Sequence, residues 1–161
     1  MRHSISLPLL VLLAAGAPRL AAQAASPTPV VDSAGLATTR ASYMRLFAAA
    51  DAAGLAALFA EDAGLDQFGA PRMKGRAQIE AGFKAAFGMQ KPISLEIVPL
   101  RITAATSALA AEIGTYHEMD SLKGKTVHAW GRYVVSLGKD STGTWRLQYV
   151  MGFPDSARTD K

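Results

Sequence analysis

Tyr43, Glu112, Tyr116, His128, Trp130 and Arg132 are the side chains of this 161-residue chain whose types and spacing suit a site. A phenol such as that of Tyr43 can hydrogen-bond an oxygen that gains charge. His128 can titrate near neutral pH and serve as acid or base. The Arg132 guanidinium can grip a carboxylate or enolate with two N–H groups, and the Trp130 indole offers a flat wall to a ring. Asp66 adds a carboxylate in the first strand, so Tyr43, Asp66 and His128 form the catalytic candidates. Several have a plainer reading beside them. Tyr43 reads equally as a core tyrosine with its hydroxyl at the rim, Glu112 and Arg132 as a cross-strand ion pair, and His128 as a polar surface residue.

Several chemistries are excluded. The chain has no cysteine, so disulfides, thiol chemistry and lipid attachment at cysteine are ruled out. Beyond His3, only His117 and His128 are present, with no H-x-H or HExxH arrangement, so no metal or other cofactor is implied. No G-x-S-x-G occurs, and Gly75 and Gly88 read as helix ends rather than a phosphate loop. Residues 1–24 have the pattern of an export signal: Arg2 and His3, an apolar run from Ile5 to Ala15, Pro18, and Ala22-Gln23-Ala24 as a cleavage site. The run is too short to anchor the chain in a bilayer, which needs about 20 residues. Cleavage after Ala24 lowers the net charge of +4 to +2 by removing Arg2 and Arg19. The remaining charges are scattered, so no nucleic acid is expected as partner. The expected location is the periplasm or the exterior.

The elements that would position these residues follow from periodicity. Residues 25–35 read as a linker and 156–161 as a tail, with one domain over 36–155 between them. Leu36, Tyr43 and Phe47 mark a helix over about 36–50. Asp51 caps a second over about 52–60, and a short strand occupies 63–68. Ile79, Phe83 and Phe87 mark a third helix, about 76–87. The period then changes to alternation, with strands at about 93–103, 108–119, 126–138 and 144–152. Pro99 predicts a bulge or an edge position for the first of these. Helices followed by antiparallel strands make an α+β domain.

The turn at 121–125 sets the expected register. One choice places Glu112 across from Arg132, Gly114 from Trp130 and Tyr116 from His128, so that opposite charges meet and a glycine makes room for an indole. It turns His117 away from His128. The even-numbered side chains of these strands then form one mixed aromatic and charged face. The odd ones, from Leu109 to Met151 and including Trp145 and Leu147, form an almost wholly apolar face. Either the odd face packs on the helices, or the even face lines a partly polar cavity and the odd face meets another subunit.

The order of elements, with "FAEDA" (59–63), "MKGRAQI" (73–79) and "GRYVVSLGKDSTGTWRL" (131–147), resembles the nuclear transport factor 2-like superfamily, in its SnoaL-like and domain-of-unknown-function 4440 branches. That resemblance implies a cone in which three N-terminal helices pack on a curved, mainly antiparallel sheet around a cavity. It also implies a homodimer formed through the outer sheet face. Against the ketosteroid isomerase branch, Tyr43 falls at the oxyanion-binding tyrosine. The matching base position holds Gln67, beside Asp66, and the second acid corresponds to Val134 or Val135. Steroid isomerisation is therefore not expected. The leading expectation is an exported domain that binds a small, partly apolar ligand and lacks a complete catalytic set. The alternatives are a cofactor-free isomerase or hydratase using Tyr43 with His128 or Asp66, and an envelope interaction module using the apolar sheet face.

Overall fold

The structure is a computed structural model that describes residues 30–160; residues 1–24, read above as an export signal, and the first five linker residues lie outside that range. Helix α1 (Ser33–Ala48) begins where the Asp32 carboxylate accepts the Gly35 N–H at 3.0 Å. Helix α2 (Ala52–Ala57) is capped in the same way, Asp51 accepting the Gly54 N–H at 2.8 Å, as its sequence predicts. Strands β1 (Phe59–Gln67) and β2 (Met73–Lys74) follow, then helix α3 (Arg76–Met89). Four long strands complete the chain: β3 (Lys91–Thr106), β4 (Leu109–Leu122), β5 (Lys125–Lys139) and β6 (Trp145–Thr159).

The strands form one curved sheet in the order β2-β1-β6-β5-β4-β3, antiparallel except for the parallel pairing of β1 with β6. The α+β class, the three N-terminal helices and the mainly antiparallel sheet agree with expectation. So does β3, an edge strand with a register shift between Pro99 and Arg101. Strand β6 runs past residue 152 to Thr159, because residues 153–159 keep pairing with β5. The core lies between the helices and the inner sheet face, with Leu36, Leu55, Phe59, Ile79, Trp145 and Leu147 buried in it. Asp32 also joins first helix to last hairpin: it accepts the Trp145 indole N–H at 3.0 Å and pairs with Lys139 at 2.9 Å.

The register across β4 and β5 differs from the one read from the sequence. Glu112 stands across from Val135, Gly114 from Tyr133, Tyr116 from Gly131, and His117 from Trp130. The cause is the hairpin turn. Lys123 (φ 52°) and Gly124 (φ 78°) form a two-residue connection with both residues left-handed, so Leu122 pairs directly with Lys125. Such turns match strand twist and fix register. The pairing is three residues away from the expected one, an odd shift, so every β5 side chain changes face. The inner face therefore carries even residues on β4 but odd residues on β5. A bulge in β6 then mixes parity within one strand: Leu147 pairs with Leu137 and Tyr149 with Ser136. Trp145 and Leu147 point inward before it, Val150 and Gly152 after it.

Glycine does make room for aromatic rings here, with different partners from those expected. Gly114 lies under Tyr133, where an added Cβ would come within 2.7 Å of the phenol oxygen. Gly131 lies under Tyr116 in the same way. Substituting Gly131→Ala is predicted to cost about 1–3 kcal/mol through overpacking, read as a lower midpoint in thermal or urea unfolding. Lys123→Asn, better suited to left-handed backbone, is expected to raise the same midpoint.

Candidate functional site

A cavity of about 270 Å³ opens between the helices and the inner sheet face. Helix α1 contributes Leu36, Thr39, Arg40, Tyr43 and Phe47 to its lining, α3 contributes Phe83, Phe68 comes from the turn after β1, and the sheet supplies the rest. Of the six expected ligand-contacting residues, Tyr43, Glu112 and Tyr116 line this cavity. His128, Trp130 and Arg132 do not: the odd register shift puts all three on the outer face. There Arg132 grips Asp155 with both carboxylate oxygens, at 2.7–3.0 Å. His117 shares that face and, contrary to expectation, bonds His128 at 3.0 Å and stacks on Trp130 with ring centroids 4.7 Å apart. Asp66 also faces outward, held by Arg72 and by the Tyr149 hydroxyl, and these bonds keep its carboxyl below its ordinary range. Its neighbour Gln67 lines the cavity instead.

Two carboxylates on the inner face of β4 have contrasting surroundings. Glu112, 4% exposed, accepts Arg40 at 2.6 Å and the Tyr133 hydroxyl at 2.6 Å. Its ion-pair partner is thus a helix residue 72 positions away rather than Arg132. A buried carboxylate with a guanidinium and a phenol as donors is satisfied. Burial and the bond to Glu112 push the Tyr133 hydroxyl well above its ordinary range. Glu118, also on the cavity lining, has no such cation among the described residues. Burial, and then hydrogen bonding and repulsion from Asp120 two residues along the same face, push its carboxyl up to about 8.

Asp120 explains the arrangement. It is 4% exposed, and one of its oxygens accepts the Gln90 side-chain N–H at 2.9 Å. Its other oxygen is buried without a conventional donor among the described residues. A proton held on Glu118 lets its carboxyl donate a hydrogen bond to Asp120. Tyr43 packs against Phe59 and Phe83 at centroid distances of 6.4 and 6.3 Å. Burial, and then the charge of Glu118, raise its pKa well above the ordinary phenol range. Tyr116 is raised by the same causes, with Asp155 contributing least. Neither hydroxyl has a hydrogen-bond partner among the described residues, so both phenols remain available to whatever fills the cavity.

Arg40, Glu118, Asp120 and Tyr133 were not singled out from the sequence. Glu118 shares the parity of Glu112 and Tyr116, and the i, i+2 spacing of Glu118 and Asp120 was the available signal. Tyr133 needed the correct register, and Arg40 a contact that no local pattern encodes.

The sequence profile of the family described as "SnoaL-like domain" matches residues 31–150. No curated protein matches the chain significantly. Among solved structures, a ketosteroid isomerase-like protein from Erwinia carotovora atroseptica superposes with a TM-score of 0.70 at 17% identity, covering 76% of this chain and 95% of that one. A hexachlorocyclohexane dehydrochlorinase, LinA type 2, gives 0.72 at 14% identity, covering 80% and 88%. An NTF2-like protein with a cystatin-like fold from Novosphingobium aromaticivorans gives 0.65 at 20%, covering 75% and 80%. These likenesses show the cone-shaped fold.

Glu118 gives a measurable pH dependence. Its folded pKa of about 8 lies above its ordinary 4.5, so the folded state holds the extra proton between these values. Its stabilising contribution is complete below the lower value and is lost as pH rises through the upper one. Urea unfolding should show stability falling toward pH 8, with Glu118 contributing up to about 1.4 kcal/mol per pH unit. Glu118→Gln should flatten that decline, while an unchanged slope would place the proton elsewhere.

Proposed function

The chain belongs to the SnoaL-like domain family, and from that premise we propose that it binds a small, partly apolar molecule in the cavity beneath its helices. The observation that carries this reading is the pair of phenols, Tyr43 and Tyr116, that face the cavity without hydrogen-bond partners among the described residues. Around them, Leu65, Ile97, Val135 and Val150 give apolar walls. Apolar walls with a few convergent polar groups are the usual form of a small-molecule site. The enzymatic alternative pairing Tyr43 with His128 or Asp66 has no support in this geometry, since neither partner faces the cavity. Small-molecule fragments titrated into isotopically labelled protein should shift the NMR signals of Tyr43, Tyr116 and Val135. The bulkier Val135→Phe should weaken binding roughly tenfold or more while keeping a folded spectrum. Shifts clustered around Trp130 and Arg132 would refute the reading.

We further propose that the chain is exported, cleaved near Ala24, and homodimeric through its outer sheet face. The basic-apolar-small pattern of residues 1–24 supports export. The partly exposed Val98, Ile113 and Val134 support an interface on that face. They also keep open the interaction-module reading, with the face covered by another protein. One preparation tests these points. Full-length chain expressed in a host with a periplasm should yield periplasmic protein beginning at Ala25 and sedimenting at twice the monomer mass. Retained leader residues would contradict export, and a monomer would contradict the dimer.

A further inference from the structure

The cavity carries more acid than base, and this sets the charge of its occupant. Arg40 is the cation of its lining, and Glu112 neutralises it at 2.6 Å. Glu118 remains in the lining, with Asp120 buried two residues along β4, and among the described residues no guanidinium or ammonium group bonds either one. Around Glu118, α1 presents Tyr43, and β4 itself presents Tyr116 and Asp120. The neighbouring strands place the apolar residues Leu95 and Ala129 in register with it. Gln90, beyond the end of α3, binds only Asp120. Asp155 acts on Tyr116 from β6 and is itself held by Arg132. The local field is therefore negative.

Resting on the ligand-binding reading above, we propose that the occupant is a cationic amine with an apolar body, its ammonium group seated against Glu118 between Tyr43 and Tyr116. An ammonium favours the ionised carboxyl, so binding expels the proton that Glu118 holds. The exchange balances: the protonated amine enters, its ion pair with the Glu118 carboxylate stays in the cavity, and the proton that Glu118 held leaves to solvent. The two phenols offer ring faces to the cation and oxygens to its N–H groups. The aromatic rings of Phe47 and Phe83 remain for the hydrocarbon part. An anionic occupant would meet the same field as repulsion.

Three probes of matched shape test this: 2-phenylethylamine, 2-phenylethanol and phenylacetate, each titrated calorimetrically in buffers of differing ionisation enthalpy. At about pH 7 the amine should bind roughly tenfold or more tighter than the alcohol and release close to one proton. The release should vanish toward about pH 9, where Glu118 is already ionised. Glu118→Gln should remove the amine's advantage and the proton release while leaving the alcohol bound as before. Asp120→Asn, which removes the neighbouring negative charge, should keep the amine preference but release less proton. Equal affinity for amine and alcohol, or tightest binding of phenylacetate, would overturn the proposal and leave the cavity reading standing. Failure of all three to bind would overturn both.

Discussion

The two-residue turn at Lys123 and Gly124 is the constraint on which the rest of the site depends. It requires left-handed backbone at both positions, and it pairs Leu122 with Lys125. Everything along β4 and β5 follows from that pairing. It brings Tyr133 over Gly114 and within 2.6 Å of Glu112, and it brings Tyr116 over Gly131. It also sends Trp130, Arg132 and His128 to the far side of the sheet. A sheet transmits register without loss, because side chains alternate with period two. A turn misplaced by an odd number of residues therefore exchanges inside for outside over a whole strand.

This explains which parts of the structure were legible in the sequence. Helix caps are local, and Asp51 announces α2 from a single position. Amphipathic spacing marks the helices, and alternation marks the strands. The β4–β5 hairpin was visible as a glycine-containing turn, but the sequence of five residues "SLKGK" does not by itself say which two lie at its tip. Leu122 and Lys125 are both compatible with strand or turn, and Lys is an uncommon residue at φ > 0. The expected pairing also had chemical appeal, since it joined Glu112 to an arginine and gave a glycine an aromatic neighbour. Both motifs exist in the structure with other members. Glu112 meets Arg40 from α1, and Gly114 meets a phenol. Chemical plausibility alone did not discriminate between registers.

Parity also breaks down within β6. A strand with a bulge has no single inner parity, and β6 contains one between Leu147 and Tyr149. Trp145 and Leu147 fill the interior, while Tyr149 reaches outward to Asp66. The long apolar run of odd residues thus divides between core and surface. Tyr43 was placed correctly because helical spacing is insensitive to both errors. Its position on α1, between Leu36 and Phe47, directs it at the sheet whichever way the strands are paired.

The parallel pairing of β1 with β6 joins the beginning of the domain to its end. Phe59 lies beside Leu147, and Gln67 beside Gly152. Among the described residues, strand β1 has the two-residue β2 as its other neighbour. A chain made as far as β5 therefore leaves one whole side of β1 unbonded and its helices without Trp145 beneath them. Such distant pairing makes ordering slow and all-or-none, because the entropy of closing a long loop precedes the contacts that offset it. Removing the last strand would strand the first, and shortening this protein from its C-terminal side would dismantle its N-terminal half.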